Sequence, residues 1–431
     1  MATDDKIETG LTKDEIRVSL TSYNWNIGLR SIFEGVCGIN TFVYVAFALA
    51  LGLPKEKMGF INTAVSVACL AQLVSLFVAN FINDRKAYVI KLAFAEPIIV
   101  LSAVVLAPYM PPAWRIVFLL IAAFVGAAFL HLTSPFVAEW LASTIPPGLR
   151  GRFLGRRFQV QQLFLAATLL ASGFILERIG RTNVVGISFL LAGGAVFGIL
   201  AVLMLNRVSL PASSVTTSVT WGSIIEVLRH KPFRLYLLAY FLVEIPFYLA
   251  CPYYQVFNLE VAHMRETHIA YMMVAYTVVK IATLPLWGKV CDRGYMKTMA
   301  YGCMVVYVLF FVAFPFTVPG RTWPLFIAWG LAGLADAAYS VWPSILLFRI
   351  LPNSNARPAF FAILSVITVG LFGFGAMCAV PILEGLKSVQ FQIGGTALTH
   401  FHIFYIGVGV LMFISAFAVR IFFARQLHSA E

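Results

Sequence analysis

Charge is what this sequence lacks most. Only 12% of its 431 residues are Asp, Glu, Lys or Arg, about half the share found in soluble globular domains. Hydrophobic residues make up 60%, and the mean hydropathy is +0.87. A chain this poor in charge cannot cover its surface with polar groups, which excludes an ordinary soluble protein. Acidic residues are the scarcer kind: 19 Asp and Glu against 31 Lys and Arg, for a net charge of +12. On a soluble domain that excess suggests nucleic acid, but no basic stripe with interleaved exposed aromatics occurs. No Gly-x-x-x-x-Gly-Lys-Ser/Thr loop is present, so bound ATP is not the expected energy source. HExxH, GxSxG and haem-type histidine clusters are also missing, which argues against an enzyme and against a resident cofactor. The six cysteines form no CxxC pair. A disulfide framework or zinc site is therefore not expected, and the thiols read as small buried hydrophobes. Residues 1–25 are polar and of mixed charge, so no cleavable signal is expected.

What the sequence has instead is long apolar runs. A membrane-crossing helix needs about 20 mostly apolar residues. Such runs are expected over 27–52, 58–82, 90–109, 115–142, 158–177, 183–205, 235–258, 268–288, 298–318, 323–348, 360–384 and 400–423. The fold class is thus all-α integral membrane, with about twelve transmembrane helices. Lys and Arg alternate in density between successive loops. One side holds Arg85, Lys86 and Lys91, then Arg150, Arg152, Arg156 and Arg157, then Arg207, Arg229, Lys231 and Arg234, then Lys289, Arg293 and Lys297. The other side holds only Lys55, Lys57, Arg115, Arg178, Arg181, Arg265, Arg321 and Lys387. Because cytoplasmic loops collect basic residues, both termini are expected to be cytoplasmic, in an inner or plasma membrane. Thr12-Lys-Asp-Glu15 reads as a capping box opening a helix that leads into the first span. Residues 211–220 are polar and linker-like. Trp221 to Arg234 reads as a basic amphipathic helix on the inner face.

The two groups of six runs look alike. Asp84-Arg85 is echoed by Asp292-Arg293, and Arg150 by Arg357, both at an offset of about 207 residues. Two matches at nearly one offset point to a duplicated six-helix unit, as in transporter folds built from parallel repeats. The expected organisation is a tail over 1–25, a bundle over 26–206, a linker over 207–233, a second bundle over 234–424, and a tail over 425–431. Gly288…Asp292-Arg293-Gly294…Lys297 resembles the signature loop of the major facilitator superfamily, and Arg150-Gly-Arg-Phe-Leu-Gly-Arg-Arg157 is similar to that family's loop at the start of the fifth helix. The first-half copy of the signature is degenerate, with Ala87 where Gly is usual, and the fifth span lacks a Gly-Pro pair. The resemblance implies two parallel-repeat bundles, a gating role for Asp84, Arg85, Arg150, Asp292, Arg293 and Arg357, and a central cavity lined by the first, fourth, seventh and tenth helices. A carboxylate at a helix end can meet a neighbouring Arg or the positive end of a facing helix, a contact that would break when a gate opens.

Ionisable side chains inside a span cost about 2.5–3.5 kcal/mol on insertion scales and mark functional candidates. Arg30 and Glu34, four residues apart, pair along one face or leave Glu34 facing the cavity. His131, Pro135 and Glu139 share a face of the fourth span. Glu244, Tyr248 and Gln255 share a face of the seventh, where Pro246 and Pro252 are expected to interrupt the helix and Tyr253 and Tyr254 add hydroxyls. Tyr276, Thr277, Lys280 and Thr283 share a face of the eighth, and Asp336 and Ser340 of the tenth. Lys280 is read as a counter-ion for Glu244 or Asp336, and Glu96 as interfacial. Desolvation disfavours a carboxylate's charged form, so Glu34, Glu244 or Asp336 could carry a proton near neutral pH. Together these features predict a monomeric secondary transporter in the lipid bilayer, driven by a proton or ion gradient through alternating access. Its substrate is either a cation, such as a metal ion bound by the carboxylates, His131, Cys37 and Cys251, or a small organic solute. An assembly factor or sensor of the same fold is the alternative.

Overall fold

The computed structural model describes residues 11–72, 74, 84–145, 150–210, 225–227, 229–293, 295–340, 342–350, 357–389, 391–393 and 396–426. Helix α1, Lys13–Cys37, opens on the capping box: Thr12 accepts from the Glu15 backbone N–H at 3.2 Å, and Glu15 accepts from the Thr12 backbone N–H at 2.9 Å. The first apolar run does not form one straight helix. It breaks after Cys37 and resumes as α2, Phe42–Ala50. Thr41 holds the break together. Its hydroxyl bonds the carbonyls of Val36 and Gly38, at 3.0 and 2.8 Å, and caps Tyr44.

The remaining helices are α3 (Met58–Val67), α4 (Arg85–Leu106), α5 (Pro112–Thr144), α6 (Arg150–Ile179), α7 (Val184–Asn206), α8 (Lys231–Ala250), α9 (Glu266–Asp292), α10 (Met296–Val312), α11 (Trp323–Tyr339), α12 (Trp342–Ile350), α13 (Arg357–Leu386) and α14 (His400–Gln426). The run at 323–348 is thus two helices rather than one. Nine helical segments among the described residues are long and apolar enough to cross a membrane. A departure from an all-α chain lies between α13 and α14, where β1 (Phe391–Ile393) pairs antiparallel with β2 (Thr396–Leu398) in a short hairpin.

The chain divides into two compact units. One comprises residues 1–53 and 64–218, the other 54–63 and 219–431. Residues 54–63, expected with the first bundle, group with the second unit. In the first unit α1 packs on α6 and α7, and α4 packs on α5 and α7. Gly194 and Gly198 of α7 make room for α1: a Cβ would come within 2.8 Å of Val36 at Gly194, and within 2.9 Å of Phe33 at Gly198. Small residues four apart let helices approach closely where lipid supplies no hydrophobic drive. In the second unit α11 packs on α9 and α10, and α8 and α10 pack on α14. Its interior is strongly aromatic, with Tyr254, Phe310, Phe314, Trp329 and Tyr405 in mutual ring contact.

One of the two expected breaks in the seventh span is absent and the other is present. Pro246 sits inside α8 without ending it. The seventh span departs from α-geometry further on, with a 3-10 turn at Cys251–Tyr253 around Pro252 and a π-turn at Phe257–Val261. Of the expected amphipathic helix, 221–224 and 228 lie outside the described residues; 225–227 and 229 are helical, and Lys231–Arg234 already belong to α8, which His230 caps by accepting from the Phe233 N–H.

Candidate functional site

The intramembrane charges fall into two groups, one in each unit. In the first, Arg30 joins two carboxylates. Its two terminal nitrogens take Glu96 at 2.5 and 2.8 Å, and its Nε takes Glu34 at 2.8 Å. Glu34 is therefore the intrahelical partner of Arg30, and half of its side chain is exposed. Glu96 is buried in the protein at 8% exposure. Arg30 beside it supplies the paired charge that lets a protein interior tolerate a carboxylate. The Arg30 guanidinium also lies 5.0 Å from the Phe33 ring centroid.

The second group is built on α8, α9, α10 and α11. Gly333 sets the spacing of α9 and α11: a Cβ there would lie 2.5 Å from the Tyr276 carbonyl oxygen. One turn on, Asp336 accepts from Tyr276, from Tyr307 at 2.6 Å and from Lys280 at 3.3 Å. Lys280 thus partners Asp336, one of the two counter-charges considered for it. Glu244 on α8 accepts from Tyr339, and the Tyr240 hydroxyl, one turn before it, is a second hydrogen-bonding neighbour. Among the described residues no Lys, Arg or His pairs with Glu244. The rings of Tyr307 and Tyr339 meet edge to face at 6.1 Å. A run of tyrosines therefore links a carboxylate with a cation to a carboxylate without one.

Several expected site residues lie elsewhere. Tyr253 donates to the Glu56 carbonyl oxygen at 2.8 Å, and Tyr254 sits in the aromatic interior. Gln255 is buried and accepts from Asn258 at 3.2 Å. Tyr248 is buried against Phe372. Tyr253 and Gln255 thus bond away from Glu244, whereas Tyr248, one turn after it on α8, lies within reach of its charge. His131 is half-buried in α5. Asp84 caps its own helix, accepting from the Ala87 N–H at 3.0 Å, rather than meeting a facing one. Arg293 is exposed. The side chains of Arg85, Glu139, Arg150, Asp292 and Arg357 lie outside the described residues. Among the described residues no three His, Cys, Asp or Glu side chains converge as a metal site.

Sequence reasoning missed Tyr307 and Tyr339, since only the packing of α10 and α11 brings them to the carboxylates; the spacing of Tyr240 to Glu244 was a readable signal. It also missed Glu56, buried at 3% exposure outside the spans, with Lys387 at 3.3 Å and His400 at 3.7 Å.

Among solved structures, a point mutant of the nucleoside transporter NupG superposes at a TM-score of 0.74 with 13% identity, over 94% of this chain and 99% of the other. A bacterial homologue of the human lysosomal transporter Spinster superposes at 0.69 with 14% identity, over 96% and 99%. A bacterial homologue of the iron transporter ferroportin superposes at 0.67 with 11% identity, over 96% and 99%. This chain has the major facilitator fold. That fold is a twelve-helix architecture, and it makes the chain a multi-pass integral membrane protein. The major facilitator structures named here are transporters, not enzymes. No protein-family model and no curated protein sequence matches the chain.

Proposed function

We propose that the chain is a secondary active transporter, moving a small solute by alternating access and coupled to a proton gradient through Glu244. The fold supports the transporter reading, since its solved counterparts carry solutes across membranes. One observation carries the coupling: Glu244 lies in a spanning helix with hydroxyl partners and no cation among the described residues. An ionised carboxylate without a counter-charge is costly in the membrane. Glu244 therefore holds a proton, or a cationic solute, for part of the cycle and gives it up in another. Asp336 differs. With Lys280 and two tyrosyl donors its charge is balanced, so it serves as the fixed member of the pair. Tyr307 donates to Asp336 and Tyr339 to Glu244, and their rings meet edge to face, so one aromatic contact ties the two carboxylate sites together.

The density of basic residues in alternate loops supports cytoplasmic termini. One structural counterpart is a nucleoside transporter and another a homologue of an iron transporter, so organic solutes and cations are the substrate classes to test first. The test is a thermal-shift screen of purified protein against nucleosides, metal ions, sugars, carboxylates and organic amines, followed by uptake of the hit into proteoliposomes. Uptake should rise with an imposed pH gradient and lose that response in Glu244→Gln. Uptake indifferent to the gradient contradicts the coupling.

A further inference from the structure

The first unit has a half-open cavity of about 210 Å³ between α1, α4 and α5, with Tyr44 and Val65 also on its wall. Its charged end holds Arg30, Glu34 and Glu96. Arg30 spends both terminal nitrogens on Glu96 and only its Nε on one oxygen of Glu34. The second oxygen of Glu34 makes no hydrogen bond among the described residues, and the side chain is 48% exposed. Two cations face the two carboxylates: Arg30 pairs with both, and the Arg157 guanidinium is near enough for its charge to reach Glu34. The break after Cys37 brings partial negative charge to the same wall, because Gly38 and Ile39 line the cavity and a helix C-terminus carries partial negative charge. Non-helical backbone at membrane depth is tolerated where it borders a cavity or buried protein, and discontinuous helices recur at transporter binding sites.

The rest of the wall is apolar and small. Val100, Ala103, Ala122, Ala123 and Gly126 form much of it. An apolar cavity of about 150 Å³ is enough for benzene, so the space here takes one ring and a short tail. The open oxygen of Glu34, beside the negative end of the broken helix, suits one monovalent ammonium. A divalent ion would need more ligands, and no three-ligand cluster exists among the described residues.

We propose that this cavity binds a hydrophobic monovalent amine, its ammonium on Glu34 and its apolar body against α4 and α5. The inference names a substrate class for the transporter proposed above. It rests on that reading only for passage of the amine, since occupancy of the cavity can be measured separately.

Phenethylamine is the probe, and phenethyl alcohol is its uncharged counterpart. Binding to the purified full chain in detergent at pH 7 is measured by calorimetry. Wild type should bind the amine, with the alcohol at least tenfold weaker. Glu34→Gln should weaken the amine at least tenfold. Gly126→Leu should abolish it by filling the cavity without touching a charge; a Cβ at Gly126 meets its nearest neighbours, Ile99 and Val100, only at 3.9 Å, so this variant keeps the test open even if Glu34→Gln fails to fold. The proposal is overturned if wild type does not bind the amine, if the alcohol binds as well, or if either folded variant binds the amine like wild type. Uptake of phenethylamine into proteoliposomes is a separate arm. Binding without uptake retains the site and removes transport of this solute.

Discussion

The Lys280 ammonium reaches Asp336, at 3.3 Å, because Gly333 lets α11 approach the backbone of α9. A side chain at 333 would drive its first carbon to 2.5 Å from the Tyr276 carbonyl oxygen, and a carbonyl in a packed helix cannot swing away. Gly333→Val is therefore expected to cost about 1–3 kcal/mol through overpacking and to lower the thermal unfolding midpoint in detergent by several degrees. Gly330, one turn away, has open space where its Cβ would point, so Gly330→Ala is the control and should leave the midpoint unchanged.

Charge balance at the same pair predicts a pattern across single and double variants. Lys280→Met leaves Asp336 without its cation, and Asp336→Asn leaves Lys280 without its anion. Each should destabilise, by less than the roughly 3–5 kcal/mol of a fully buried pair, because the two side chains keep 26% and 30% exposure. The double variant removes both charges and should recover most of the loss. Unfolding midpoints of the three proteins check this, and additive losses would contradict it.

Glu56 gives the chain a stability change with pH. Burial raises its carboxyl, but its own backbone N–H and the ammonium groups of Lys387 and Lys55 outweigh that and hold it below its ordinary value of 4.5. A lowered carboxyl favours the folded state when ionised. Its contribution is complete above about pH 4.5 and is lost as pH falls through the lower folded-state value. Lys387 is exposed and its attraction screened, so the effect is about 1 kcal/mol or less. Midpoints recorded from pH 6 down to pH 3 should fall more steeply in wild type than in Glu56→Gln.

Tyr339 is expected to matter for transport rather than folding. Tyr339→Phe keeps the ring packed against Tyr307 and Trp342 and removes the hydroxyl that bonds Glu244. If that hydroxyl holds Glu244 ready for its proton, gradient-driven uptake should drop at least tenfold while the unfolding midpoint moves little. Unchanged uptake would remove Tyr339 from the coupling.

Hydropathy and charge made the membrane class readable in the sequence, and the offset of about 207 residues made the duplication readable. The capping box at Thr12 and the i, i+4 pairing of Arg30 with Glu34 were legible because they are local. What was not legible depends on which helices touch. Glu96 lies 66 residues from Arg30, and nothing in its own neighbourhood announces a buried partner. Tyr307 and Tyr339 look like ordinary aromatics until α10 and α11 pack. Tyr253 and Tyr254 looked like site residues by proximity to Glu244 in sequence, yet the 3-10 turn at Pro252 and the packing around it place one on the Glu56 backbone and the other in the aromatic interior.

Proton coupling through Glu244 is tested most directly by uptake of the screened solute into proteoliposomes, with and without an imposed pH gradient, in wild type and Glu244→Gln. Wild type should accumulate solute above protein-free liposomes only when the gradient is present. Glu244→Gln should exchange solute at equal concentrations but not accumulate it. Accumulation by Glu244→Gln equal to wild type, under the same gradient, would contradict the role assigned to Glu244.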